Sequence, residues 1–278
     1  MICFPNAKIN IGLRVLSKRK DGFHNLSSYF LPIPIFDVLE VQIGSSTSKK
    51  NKITYSGIQF IDKNNDLVMK AYDILNQKFN LPAVNIHLHK NIPIGAGLGG
   101  GSSNATFMLM MLNKLFDLKL NKNSLFQYAK ILGSDCPFFL FNTFSLVSEL
   151  GNVVNPIENP FTNHHLVIIK PNLHCSTKDI FHNYKLRKKT SPYFKFNHNP
   201  DHWKNEFVND LESVTFLMHP ELKEIKEYLY SLGAKYAGMT GSGSSIFGLF
   251  LKPPKINEKF DFWCSEGVIG IQKFKSIF

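Results

Sequence analysis

Apolar positions recur along this chain in two rhythms, alternate residues in some stretches and every third or fourth in others. Alternation predicts a strand over residues 9–16 and another over 36–43. Between them the polar run 17–22 carries Asp21-Gly22, a turn signal that suggests a hairpin-like connection. Residues 44–52 are polar and read as a loop. Asp66 is placed to cap a helix running to about Phe79, with Leu67, Ala71, Ile74 and Leu75 on one face. A strand over 84–88 leads into a glycine-rich segment, and an apolar helical run covers 105–116. A further helix is expected over 124–132, ended by Gly133, before Asp135 meets an apolar run at 137–141.

In the second half the pattern predicts a strand at 166–170 and a polar, aromatic-rich loop region at 177–200. Helices follow over 203–216 and from Pro220 to Gly233. Two strands, 236–239 and 246–251, flank Thr240-Gly241-Ser242-Gly243-Ser244-Ser245. Prolines and polar residues at 155–163 mark a boundary between halves, so the expected domains are 1–155 and 156–278. Helices and strands mix without sustained βαβ periodicity, which predicts an α+β fold.

The segment Pro93-Ile94-Gly95-Ala96-Gly97-Leu98-Gly99-Gly100-Gly101-Ser102-Ser103-Asn104-Ala105 says most about chemistry. Glycines let a backbone approach a ligand closely, and a helix opening after them points free N–H groups at it. That suits a phosphate, so the segment predicts a nucleoside triphosphate site. A P-loop needs a Lys before the Ser, and none is present. The dinucleotide fingerprint fits Gly95, Gly97 and Gly100, but it needs an acid ending a strand roughly 20 residues on. Asp117, near that spacing, ends a helical pattern instead. A flexible linker would not be flanked by a strand and a fully apolar helix.

Three other places invite chemistry. Asp135 reads either as a general base or as a polar residue in a turn after a helix. Lys8 interrupts an apolar strand and shares a face with Asn6 and Asn10. That face suits a substrate hydroxyl and phosphate oxygens, or is simply a solvated edge. Phe23-His24 beside the turn reads as a base-stacking pair or as a turn with one core Phe. Ser102, Ser103 and Asn104 are the oxygen candidates for magnesium, and no carboxylate cluster stands near them in sequence, so the metal ligands stay open.

Composition narrows the class. At 278 residues and 44% hydrophobic the chain has ample material for a globular core. No run approaches the roughly 18 apolar residues of a membrane span. The first residues do not make a signal peptide, which sets cytoplasm as the expectation. Cys3, Cys136, Cys175 and Cys264 are scattered, which suits free thiols better than zinc or a disulfide framework. The net charge of +11 favours anionic partners. Its densest clusters, Lys18-Arg19-Lys20 and 185–189, lack the interleaved aromatics of a nucleic-acid surface.

The long glycine segment resembles, nearly position by position, the P-x-G-x-G-L-G-(G/S)-(G/S)-S-(S/A)-x-A loop of the GHMP kinases. Further matches are Ala7-Lys8-Ile9-Asn10, Asp21-Gly22-Phe23-His24, Gly133-Ser134-Asp135-Cys136-Pro137, Asn209-Asp210-Leu211-Glu212 and residues 239–245. They run in the family's order over nearly the whole chain. The A-P-G-(K/R) and G-E-H segments of mevalonate kinases and galactokinases are missing. The resemblance is sharpest to the branch that uses ATP to phosphorylate the 2-hydroxyl of a cytidine diphosphate-linked methylerythritol, in the non-mevalonate isoprenoid pathway.

That resemblance implies a ribosomal-S5-like N-terminal domain, a ferredoxin-like C-terminal domain and an active site between them. It implies ATP and Mg2+ as cofactors, a small-molecule substrate, no nucleic-acid or membrane partner, and a monomer or weak homodimer. Asp135 matches the base, Lys8 the lysine that holds it ionised, and Asn10 a substrate contact. Phe23, His24, Phe30, Thr177 and Phe181 match positions around the cytosine, with Phe23 standing where a Tyr is often seen. On the phosphate side fall Lys90, Pro93, Gly95, Gly97, Leu98, Gly99, Gly100, Gly101, Ser102, Ser103 and Asn104, and from the second loop Gly241, Ser242 and Gly243.

Overall fold

A computed structural model describes residues 1–278 apart from 46–49, 59–65, 187–190, 194, 257–262 and 270–278. Part of the loop expected at 44–52 and most of the basic cluster at 185–189 therefore lie outside the described residues. Three four-stranded sheets carry the fold.

The first sheet has the order β1 (Ile2–Cys3), β4 (Val38–Ile43), β6 (Val84–Lys90), β5 (Lys52–Gly57). Its inner face carries Leu39, Val41, Val84, Ile86 and Leu88. They pack on α1 (Leu67–Phe79), α2 (Gly100–Leu115) and α3 (Lys122–Leu132). Asp66 caps α1 by accepting from the Val68 N–H at 2.6 Å, as its position predicts. The α2 helix is apolar nearly all round because it is buried nearly all round, from Ser103 to Leu112.

The second sheet runs β2 (Asn6–Lys18), β3 (His24–Phe36), β7 (Ser145–Glu149), β8 (Val153–Pro156). The strand expected at 9–16 is thus a 13-residue strand paired with an equally long one across the Asp21-Gly22 turn. Strand β3 is buried on both faces from Ser27 to Ile33 and carries Pro32 and Pro34, so it shows no apolar–polar alternation. The apolar run after Asp135 is a short helix, α4 (Cys136–Phe141).

The third sheet runs β10 (Tyr236–Met239), β11 (Ile246–Phe250), β9 (His165–Lys170), β12 (Trp263–Val268), all antiparallel. Packed against its inner face are α7 (Glu212–Met218) and α8 (Pro220–Ser231). The helix expected over 203–216 is two, α6 (Pro200–Glu206) and α7, and the expected loop region opens with α5 (Thr177–Asn183). The break has a cause. Asp210 accepts from the Val15 N–H at 2.9 Å, and its own N–H donates to the Leu13 carbonyl at 2.8 Å, so 209–210 belongs to β2 rather than to a helix.

One core joins residues on both sides of the boundary expected near 155. Tyr29 and Phe144 from before it interleave with Phe161, Phe196, Trp203, Phe207 and Tyr236 from after it. The second and third sheets are therefore fixed against each other by aromatic packing.

Candidate active site

The glycine segment leaves β6 at Lys90 and becomes helix α2 at Gly100, so Gly100 to Asn104 are already helical. Gly99 is the N-cap in a left-handed conformation (φ 70°), and no side chain caps the helix. Its first N–H groups are free to meet an anion. A cavity of about 360 Å³ opens there, lined by Lys90, Pro93, Gly95 to Ser102 and Asn104, together with Asp66, Leu67 and Val68.

Lys90 does not point freely into that space. Its ammonium pairs with Asp37, both fully buried, and donates to Asn104 Oδ1 at 3.1 Å. Asp37 also accepts from the Asn91 and Ile92 N–H groups at 2.8 and 2.9 Å and from Asn104 Nδ2 at 2.9 Å. The hub ties the start of β4, the end of β6 and the first turn of α2 together. Lys90 and Asn104 therefore brace the loop from beneath. Asp37 escaped the sequence reading because nothing local marks it; its partners lie 53 and 67 residues away.

A second cavity of about 280 Å³ adjoins the first through Gly97 and Gly99. Lys8, Asn10, Ser28, Phe30 and Asp135 line it. Lys8 is 3% exposed, so its strand face is not a solvated edge. Its Nζ lies 3.3 Å from Asp135 Oδ2, 2.7 Å from Asn10 Oδ1 and 4.6 Å above the Phe30 ring. Asn10 is held in turn. Its Oδ1 accepts from the Gly241 N–H at 2.9 Å, and its Nδ2 donates to Ser28 Oγ at 3.0 Å. Asn10 thus aims Lys8 and clasps the second glycine loop. Asn6, on the same strand face, pairs instead with Asn142. Burial pushes the thiol of Cys136, next to Asp135, up to about 12, which keeps it a neutral packing group.

The second glycine loop docks on the first. The Thr240 hydroxyl accepts from the Asn10 N–H at 3.2 Å and donates to the Gly97 carbonyl at 2.9 Å. Asn209 Nδ2 donates to the Met239 and Gly241 carbonyls, both at 2.8 Å. Gly241 and Ser242 line the second cavity beside Lys8 and Asp135. Gly243 lies behind them against Met239 and Cys175.

A third, larger cavity of about 760 Å³ shares Leu26, Ser134, Leu150, Thr177 and Phe181 with the second. Phe23 and His24 line it as well. Phe23 is 65% exposed, so it is not the core residue of a turn. The His24 ring stacks on Phe181 at 5.1 Å. Burial and then the charge of Lys18 lower the His24 pKa, favouring a neutral imidazole. Thr177 Oγ1 meets Ser242 Oγ at 2.8 Å. Phe30 lines the second cavity and not this one, under Lys8 and against Phe138.

For magnesium the donor set is sparse. Among the described residues no three His, Cys, Asp or Glu side chains cluster to hold a metal. Ser103 is buried and Asn104 is engaged, which leaves Ser102 as the side-chain hydroxyl lining the glycine cavity. That fits a cation carried on nucleotide phosphates with water completing its shell.

Known proteins match this chain along its length. The family descriptions GHMP kinases N terminal domain and GHMP kinases C terminal match residues 66–143 and 197–269. The 4-diphosphocytidyl-2-C-methyl-D-erythritol kinase of Azobacteroides pseudotrichonymphae is 46% identical over 265 residues, covering 94% of this chain and 98% of that protein. The enzyme of that name from Bacteroides fragilis is 44% identical over 275 residues, covering 94% and 96%. A crystal structure of 4-(cytidine 5'-diphospho)-2C-methyl-D-erythritol kinase superimposes with a TM-score of 0.75 at 29% identity, covering 90% of each chain. A homoserine kinase from Cytophaga hutchinsonii, at 19% identity and a TM-score of 0.65, shares the fold. Among the described residues no helix is long and apolar enough to cross a membrane.

Proposed function

Because the chain belongs to the GHMP kinases, and among them to the 4-diphosphocytidyl-2-C-methyl-D-erythritol kinases, we propose that it transfers the γ-phosphoryl group of ATP to the 2-hydroxyl of 4-diphosphocytidyl-2-C-methyl-D-erythritol. The observation that carries the site assignment is the row of three connected cavities with Lys8 and Asp135 in the middle one. ATP phosphates rest on the glycine loop, the cytosine lies between Phe23, His24 and Phe181, and the reacting hydroxyl meets Asp135.

Asp135 takes the hydroxyl proton as the substrate oxygen bonds to the γ-phosphorus. The bond to the β-phosphate bridging oxygen breaks, and ADP leaves with that electron pair. Lys8, aimed by Asn10, steadies the carboxylate and the oxygen it deprotonates. The free N–H groups at the start of α2 bind the phosphates. Magnesium, held by those phosphates with Ser102 alongside, would supply further charge neutralisation. The remainder of the catalysis is positioning.

ADP release from Mg-ATP with the cytidyl substrate, against mevalonate, homoserine and galactose, tests the assignment, with Asp135→Asn as control. Turnover confined to the cytidyl substrate and lost in the control is expected. Turnover of another alcohol alone sinks the cytosine pocket.

A further inference from the structure

We propose that Lys18, Lys130 and Lys178 form a subsite for the diphosphate linker of the substrate, so that this linker is neutralised by protein cations. The proposal rests on the substrate reading above and adds the residues that meet its charge.

The substrate reading sets where the linker lies. Phe23, His24 and Phe181 line the third cavity, which opens into the Asp135 chamber at Ser134 and Thr177. A base at one end and a reacting alcohol at the other leave the diphosphate between them. Three lysines line that cavity, each from a different element. Lys18 ends β2 and pairs in register with His24. Lys130 lies in the last turn of α3, just before Gly133 and Ser134. Lys178 lies in the first turn of α5, next to Thr177.

The charge around them is unbalanced. Among the described residues no Asp or Glu lines this cavity, and none of the three lysines enters an ion pair. The two lysines nearer the ATP end are committed elsewhere, Lys8 to Asp135 and Lys90 to Asp37. They cannot also serve the linker without giving up those carboxylates. Burial first, and then the charge of Lys18, lowers the pKa of His24 in the same cavity. A doubly charged linker entering this cavity meets three cations and, among the described residues, no lining carboxylate. Their exposed, flexible stems suit capture of an anion arriving from solvent.

The test is binding of CDP and of cytidine to the full chain, with a non-hydrolysable ATP analogue present so that CDP cannot enter the glycine-loop cavity. Wild type, the triple variant Lys18→Met/Lys130→Met/Lys178→Met, and the corresponding triple arginine variant are compared at low and high salt. The expected result is CDP binding about tenfold or more tighter than cytidine in the wild type, each lysine contributing about two- to fivefold. That preference should vanish in the methionine variant, persist in the arginine variant and shrink with salt. Equal affinity for CDP and cytidine in the wild type, or a preference that survives in the methionine variant, overturns the subsite. Steady-state kinetics separate this from the substrate assignment. A raised KM for the cytidyl substrate with the ATP KM unmoved is expected of the methionine variant, and an unmoved KM for both overturns the subsite while leaving the reaction standing. A CDP preference without turnover of the cytidyl substrate overturns the reaction and leaves the subsite.

Discussion

Gly97 and Thr240 lock the two glycine loops together. Gly97 has φ 76°, and a Cβ there would be driven into the Thr240 carbonyl. The Thr240 hydroxyl closes the contact by donating to the Gly97 carbonyl at 2.9 Å. Gly97→Ala therefore meets both a strained conformation and a backbone atom that cannot yield. A lowered Tm and an ATP KM raised about tenfold or more are expected. Gly101→Ala is the control for stability, since a Cβ there has only Leu67 within 4 Å, at 3.6 Å, and alanine suits a helix better than glycine. A Tm for Gly97→Ala equal to that of Gly101→Ala would show that the loops do not hold each other.

Lys8 and Asp135 stand 3.3 Å apart, and the proposed mechanism uses them as one unit. Asp135→Asn and Lys8→Ala should each lower kcat by roughly 10²-fold or more, the usual scale for loss of a general base. The double variant should lose little beyond either single one, because both remove the same arrangement. Single-turnover rates measure this, and losses that multiply would mean that the two residues work independently.

The buried pair of Asp37 and Lys90 makes a stability prediction. Asp37→Asn leaves the Lys90 ammonium in the core without its counter-charge, at a cost of about 3–5 kcal/mol. Adding Lys90→Met removes the stranded charge and should recover a large part of that loss. Urea denaturation of the two variants decides it; a double variant less stable than Asp37→Asn contradicts the account.

His24 should titrate below the ordinary imidazole value of 6.5, since burial and Lys18 both oppose its charging. Lys18→Met removes the second cause, so the midpoint should rise toward the ordinary value while staying below it. The imidazole proton resonances followed against pH give both midpoints. A midpoint unmoved by Lys18→Met would place that ammonium away from the ring.

His164 is buried against Phe161 and Trp203, and burial lowers its pKa as well. The unfolded chain therefore binds a proton near pH 6.5 that the folded chain refuses. Stability should fall as pH drops below 6.5, until the folded form also titrates. His164→Phe should flatten part of that acid-side loss in denaturant midpoints measured between pH 5 and 7.5, conditions set by the ordinary imidazole range. A slope identical to wild type would assign the acid sensitivity to other groups.

Several features were legible because their causes are local. The glycine segment, the Asp66 cap and the buried α2 helix each follow from backbone freedom, a capping side chain or continuous apolarity within a few residues. Lys8 stood out because a charge inside an apolar strand is locally anomalous. Other features have no local cause. The helix break at 209–210 arises because those residues bond to β2, nearly two hundred positions earlier in the chain. Strand β3 shows no alternation because both its faces are buried, which only the packed chain reveals.

The sequence by itself determined the glycine-rich loop, the family and the candidate residues for the chemistry. These depend on short runs whose conformational and chemical preferences travel with them. Tertiary structure alone decided how those residues are used. It turned Asn10 inward to aim Lys8, set Lys90 beneath the loop against Asp37, and gathered three lysines from three separate elements around one cavity. Such roles depend on which distant groups come within hydrogen-bonding or ion-pairing reach, and only packing of the whole chain sets those distances.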